Sequence, residues 1–165
     1  MAGGRGTRLS EYAQTIPKPM VTIGGRPNLE HQVLLAKHYG FTSTLFLVSH
    51  LADRIEAHFG RGERFGMEFS YSAEDPPLGT AGALRHAGQL LQDRFLLLYG
   101  DVFIECDLAR LWADHANNHA IATLVIHPND HPDDSDLCPG GRTRAVSTGW
   151  DCCLTGLCQV DCAIR

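Results

Sequence analysis

The chain has 165 residues, with 14 Lys and Arg against 19 Asp and Glu for a formal net charge of −5, and its 44% hydrophobic and 20% charged content describes a globular protein of about one domain rather than a disordered one. No apolar run approaches the roughly 20 residues of a bilayer-spanning helix, and Met1-Ala2-Gly3-Gly4-Arg5-Gly6 has no apolar stretch of the signal-peptide kind, so a cytoplasmic protein without a membrane partner is expected. The mildly acidic balance brings no generic attraction to nucleic acid, so no nucleic-acid partner is expected and any phosphate must be held by a local site.

The chain opens on Gly3-Gly4-Arg5-Gly6-Thr7-Arg8-Leu9, where three glycines let the backbone approach a ligand and successive N–H groups can form a concave anion nest. No Lys-Ser/Thr follows the last glycine and Leu9 stands where a third fingerprint glycine belongs, so neither a Walker A loop nor the dinucleotide motif is present. By itself the loop fits a phosphate cradle or a flexible arm. In Ile16-Pro17-Lys18-Pro19-Met20 each proline holds the preceding residue extended, which directs Lys18 as a charge clamp, although the tripeptide by itself fits a surface Pro-rich turn with a solvated lysine better.

From Pro27 to about Thr123 short apolar runs alternate with amphipathic stretches, the pattern of strands joined by crossover helices in an α/β fold. Pro27-Asn28 opens a helix stopped by Gly40, Thr44 to Val48 reads as a parallel strand covered on both faces, and a short helix runs from Ala52 to Phe59 and ends at Gly60. Met67 to Tyr71 alternates as a strand, and Thr80 is predicted to cap a helix from Ala81 to Leu91 with Leu84, Ala87, Leu90 and Leu91 as its apolar stripe. Phe95 to Tyr99 is the most apolar strand and leads into Gly100-Asp101; Asp107 caps a helix to about His115, and Ala122 to Ile126 is a further strand.

The remainder differs in character, since Cys138, Cys152, Cys153, Cys158 and Cys162 fall together there without clear periodicity. Their spacing lacks matched C-x2–4-C pairs, and the His127/His131 pair lies in a Pro-rich loop rather than on a helix face, so no zinc site is predicted, and no disulfide framework either.

Taken in register, Ala2 to Leu9, Pro17-Lys18-Pro19-Met20, Leu78-Gly79-Thr80-Ala81-Gly82 and Tyr99-Gly100-Asp101 resemble the motifs of the sugar-1-phosphate nucleotidyltransferases over residues 2 to about 137. The Leu78 to Gly82 motif looks like the mannose-1-phosphate guanylyltransferase branch, and His127 to Leu137 is similar to the D-glycero-D-manno-heptose 1-phosphate guanylyltransferases. The resemblance implies a Rossmann-like three-layer α/β/α domain with a mostly parallel sheet. It also implies transfer of a nucleotidyl group, GMP from GTP, to a sugar 1-phosphate with loss of pyrophosphate and with Mg²⁺ as cofactor, in an assembly whose oligomeric state stays open.

By that resemblance Gly3, Gly4, Gly6 and Thr7, with Ala2 and Gly100 in the same motifs, line the nucleotide, and Arg8 holds the departing pyrophosphate. Lys18 stabilises the reacting phosphates, Asp101 holds Mg²⁺, and Gly79 and Thr80 approach base and ribose with Glu74 nearby. Arg8, Lys18 and Asp101 are thus the catalytic candidates. The chain departs from the family pattern in two places, the apolar strand expected before Ala2 and the acceptor half expected after Leu137. A partial nucleotidyltransferase domain over residues 1–137, truncated at both ends, is therefore expected, with residues 138–165 a truncated or out-of-frame Cys-rich tail. A non-catalytic nucleotide- or sugar-nucleotide-binding subunit, or an inactive fragment, is the alternative.

Overall fold

The computed structural model describes residue 2, residues 15–126 and residues 156–158. The chain falls into two units, Met1–Cys106 and Asp107–Arg165.

In the first unit β1 (Thr22–Ile23) and β2 (Arg26–Pro27) pair antiparallel across Gly24-Gly25. Both glycines have positive φ, +57° and +85°, so the chain reverses in two residues without the Cβ clash another residue would meet. Pro27 leads directly into α1 (Asn28–His38), which ends at the predicted Gly40, φ +85°. One face of α1 is buried through Asn28, Leu29, Gln32, Val33 and Ala36. Its Glu30 takes His58 at 2.8 Å and Arg64 at 3.4 Å, and Lys37 donates to the Phe65 carbonyl.

Next, β3 (Ser43–Val48), α2 (Ala52–Phe59) and β4 (Glu68–Ala73) form a strand–helix–strand unit, with the strands parallel in register from Ser43 opposite Glu68 to Val48 opposite Ala73. Because successive strand side chains alternate between faces, Phe46 and Val48 point to one layer and Leu47 to the other. Phe46 and Val48 join Leu29 and Val33 of α1 and Ile55 and Phe59 of α2 in the main core, where Phe46, Phe59, Phe65 and Phe69 pack with ring centroids 5.1 to 5.9 Å apart. Leu47 instead meets Ala83 and Ala87, on and just past α3 (Gly79–His86). Helices therefore cover both faces of β3, the three-layer α/β/α arrangement expected of a buried parallel strand.

Two expected elements of this unit differ. Residues 95–99 pair with no strand among the described residues, and Phe95 and Tyr99 are 45% and 48% exposed. An apolar run becomes a strand only when a neighbour takes its N–H and C=O groups, and here side chains of α1 take the Tyr99 carbonyl and the two near it. The helix predicted over Ala81 to Leu91 is Gly79–His86 followed by a one-turn 3-10 helix, Gly88–Leu90. Its N-cap is Leu78, with Thr80 inside the first turn instead of capping it, and Leu90 leaves the apolar stripe with 62% of its surface exposed.

In the second unit Asp107 caps α4 (Leu108–Asn117) as predicted, its Oδ1 accepting from the Arg110 N–H at 3.0 Å. The strand expected over 122–126 forms as β5 (Leu124–Ile126) and pairs antiparallel with β6 (Gly156–Cys158), a strand lying where the sequence showed no periodicity. His127 to Leu137 lies outside the described residues, as do Cys138, Cys152, Cys153 and Cys162.

Candidate active site

The predicted site residues that are described lie at two supports, the carboxyl ends of β3 and β4 and the first turns of α1. At β3 the Ala2 N–H donates to the Leu47 carbonyl at 2.8 Å, and Ala2 sits in the main core at 4% exposure. The glycine-rich segment therefore begins against β3, on the backbone edge of Leu47. Gly3, Gly4, Gly6, Thr7 and Arg8 lie outside the described residues.

Glu74 continues the β4 ladder, its N–H donating to the Val48 carbonyl at 3.0 Å, and its carboxylate turns back to accept the Leu78 N–H at 2.8 Å. That bond closes the loop before Gly79, whose φ of +72° an L side chain adopts only with strain. Gly82 answers a different need: a Cβ there would lie 2.6 Å from the Leu78 Cβ. Thr80 is exposed on the first turn of α3.

Lys18 begins a one-turn 3-10 helix, Lys18–Met20, closed by Met20 N–H to Pro17 carbonyl at 2.8 Å and Val21 N–H to Lys18 carbonyl at 3.1 Å. Lys18, expected to be held extended by Pro19, lies instead inside this turn, because Pro19 sits within the first turn of a helix, where a missing N–H costs nothing. Both prolines are buried and Met20 packs on the core, which fixes the backbone under the half-buried Lys18. The Lys18 ammonium forms no ion pair among the described residues.

Asn28 connects this turn to Asp101. Its backbone N–H donates to the Val21 carbonyl at 2.9 Å, and its side-chain Nδ2 donates to the carbonyls of Gly100 at 2.9 Å and Val102 at 3.2 Å. One turn further along α1, Gln32 Nε2 donates to the carbonyls of Tyr99, at 2.7 Å, and Val102. Val102 N–H to Tyr99 carbonyl, 3.2 Å, closes a turn with Gly100 buried and Asp101 exposed at its centre. Three hydrogen bonds, through Val21 and Asn28, thus separate Lys18 from the turn that displays Asp101.

The structure brings Lys18, Gly100 and Asp101 onto one support, and Ala2 and Glu74 onto the end of β3. No hydrogen bond or ion pair joins the two groups among the described residues. Sequence reasoning did not find Asn28 and Gln32. The signal was there: two amides four apart, on the same helical face as Leu29, Val33 and Ala36, place polar groups within a buried stripe.

The Asp101 carboxylate makes no hydrogen bond or ion pair among the described residues, and no group of three or more His, Cys, Asp or Glu side chains gathers there to enclose a metal ion. One unengaged carboxylate suits Mg²⁺, which is commonly held by one or two carboxylates with substrate phosphates and water completing its shell. The donor set fits that ion and does not fit a closed structural metal site.

Residues 1–135 match the model of the family described as nucleotidyl transferase. The chain belongs to this family. It is 36% identical to UTP–glucose-1-phosphate uridylyltransferase of Synechocystis, over 76% of this chain and 35% of that protein. It is also 36% identical to mannose-1-phosphate guanylyltransferase of Mycobacterium tuberculosis, again over 76% of this chain and 35% of the relative. Among solved structures, HddC from Yersinia pseudotuberculosis complexed with GMP-PN aligns with a TM-score of 0.62 and 30% identity, covering 69% of this chain and 51% of that one. The chain thus spans about a third of the length of these two curated relatives. The fold of this nucleotidyltransferase domain is α/β and Rossmann-like, and no described helix is long and apolar enough to cross a membrane.

Proposed function

We propose that this chain transfers GMP from GTP to a sugar 1-phosphate of the mannose or heptose type. An oxygen of the sugar phosphate attacks the α-phosphorus of the nucleoside triphosphate, the bond from that phosphorus to the bridging oxygen breaks, and pyrophosphate leaves with the bond electrons. The observation that carries the reading is the common anchoring of Lys18 and Asp101 on Asn28. A cation on a stiffly held turn and a free carboxylate on a clamped turn are the two groups a bound polyphosphate needs, one against its oxygens and one through a divalent cation.

Such displacement depends chiefly on positioning and on neutralising charge at the phosphoryl oxygens, and neither requires a covalent enzyme intermediate. Mg²⁺, when bound, offsets phosphate charge; Asp101 is the residue that would hold it. Lys18 contributes a donor whose backbone is already ordered, so less freedom is lost on binding. Ala2, held against Leu47, starts the glycine segment at the carboxyl end of β3, where open α/β sheets receive ligands. In this reading Gly3, Gly4, Gly6 and Thr7 cradle the triphosphate and Arg8 takes the pyrophosphate. Gly79 and Thr80 face base and ribose, with Glu74 shaping their loop and Gly100 beneath the Asp101 turn. The protein works in the cytoplasm, where nucleoside triphosphates are made and used.

GTP is favoured by the resemblance of Leu78 to Gly82 to the guanylyltransferase branch and by the GMP-PN in the similar solved structure. The experiment is incubation of the chain with Mg²⁺, each of GTP, UTP, dTTP and ATP, and mannose 1-phosphate or heptose 1-phosphate, following pyrophosphate. Release with GTP and one of these sugars is the expected result. Release with UTP or dTTP alone overturns the nucleotide assignment, and GTP binding without release moves the chain to a nucleotide-binding subunit.

A further inference from the structure

We propose that Asn28 and Gln32 are positioning residues for Asp101, setting the affinity of the site for a divalent cation bound to a polyphosphate; the inference rests on the reading of Asp101 as cation ligand given above. Asn28 and Gln32 are 3% and 4% exposed. Burying an amide is unfavourable unless it is hydrogen-bonded, and apolar side chains at these positions would serve helix packing as Leu29, Val33 and Ala36 already do. What the amides add is four donated hydrogen bonds to the carbonyls of Tyr99, Gly100 and Val102, the residues that bracket Asp101.

The bonds also fix the amide orientation. Reversed, Asn28 would set its Oδ1 against two carbonyl oxygens. As placed, that Oδ1 is buried and accepts no hydrogen bond among the described residues, so the side chain is held by its donor end alone. Two amides on α1 hold the turn from its carbonyl side, and leave the Asp101 carboxylate itself unengaged among the described residues. Outer hydrogen bonds of this kind typically change metal affinity by about 10- to 100-fold when removed.

The test uses Mn²⁺ as probe, read by water-proton relaxation in the presence of GTP, on the full 165-residue chain. Asn28→Leu and Gln32→Met keep side-chain volume and remove the donors. The expected result is a rise of at least about tenfold in the Mn²⁺ concentration at half-saturation, recovered fully at higher Mn²⁺, with far-UV circular dichroism unchanged. Recovery by added cation is a response that simple loss of folded protein does not give. If Asn28→Leu fails to fold, Gln32→Met carries the test; failure of both to fold makes the amides purely structural and overturns the proposal. Wild-type half-saturation in the folded variants, while Asp101→Asn loses Mn²⁺, overturns the positioning role alone. Wild-type binding in Asp101→Asn, or no Mn²⁺ binding by the unaltered chain, overturns the reading of Asp101 and the proposal with it.

Discussion

Ala2 and Leu47 are joined by a backbone hydrogen bond of 2.8 Å that seats the beginning of the glycine-rich segment in the core beside β3. A methyl group is the side chain there, enclosed with Leu29, Val33, Phe46 and Val48 in one cluster. Overfilling a packed core generally costs about 1–3 kcal/mol, which for a protein of this size corresponds to a fall in Tm of roughly 2–12 °C. Ala2→Leu is expected to show that fall in a thermal melt; an unchanged Tm would place Ala2 outside the core.

A second stability prediction separates two glycines of one region. At Gly82 an added Cβ would meet the Leu78 Cβ at 2.6 Å, whereas at Gly88 nothing lies within 4 Å. Gly82→Ala is therefore expected to lower Tm, by about 1–3 kcal/mol of stability, as α3 shifts away from Leu78. Gly88→Ala is expected to leave Tm unchanged or raise it slightly, because the unfolded chain loses freedom and the folded chain meets no clash. Equal effects in paired melts would contradict the contact.

Much of the fold was legible because it rests on local rules. Gly40 and Gly60 end helices, Asp107 caps one with its own side chain, and the apolar run at the centre of β3 reflects helices on both faces. Residues 95–99 form no strand among the described residues, because a strand is a relation between segments that apolar composition alone does not report. The site was legible as motifs but not as an arrangement. Lys18 and Asp101 stand far apart in sequence, and the residue that ties them together, Asn28, reads in isolation as an ordinary polar start to a helix. Its role emerges only once the Gly100 and Val102 carbonyls are known to face α1. Thr80 shows the reverse: a good capping residue by type, it was displaced by the Glu74 carboxylate fixing Leu78 two residues earlier.

Alkaline pH supplies a third prediction. Burial raises the Tyr71 phenol above its ordinary value of 10.0, and Glu56 nearby raises it further. The unfolded chain therefore loses this proton at lower pH than the folded one. Its contribution to stability is complete below about pH 10 and is lost as pH climbs through the folded-state value. Tyr71 also donates to the Gly60 carbonyl at 2.6 Å. Denaturant midpoints measured from pH 8 upward should fall above about pH 10, and Tyr71→Phe should flatten that fall while lowering the midpoint at pH 8. The same slope in the variant would assign the alkaline loss to other groups.

Lys18→Ala and Asp101→Asn are expected to fold, since Lys18 is half-buried, Asp101 is exposed, and neither forms an ion pair among the described residues. In the presence of Mg²⁺ and GTP with a mannose- or heptose-type sugar phosphate, each should lose most pyrophosphate release. For groups that neutralise charge on a reacting phosphate the loss is on the order of 100-fold. Retained turnover in Asp101→Asn would remove that carboxylate from the mechanism.

Calorimetric binding of Mg-GTP to the unaltered chain, the two single variants and the double variant tests the account most directly. If one polyphosphate lies between the Lys18 ammonium and a cation on Asp101, each single variant weakens binding by at least about tenfold, and the double variant loses clearly less than the sum of the two in free energy. Unaltered affinity in both single variants would mean that neither side chain meets this ligand, and would contradict the account; losses that simply add would contradict the coupling between them.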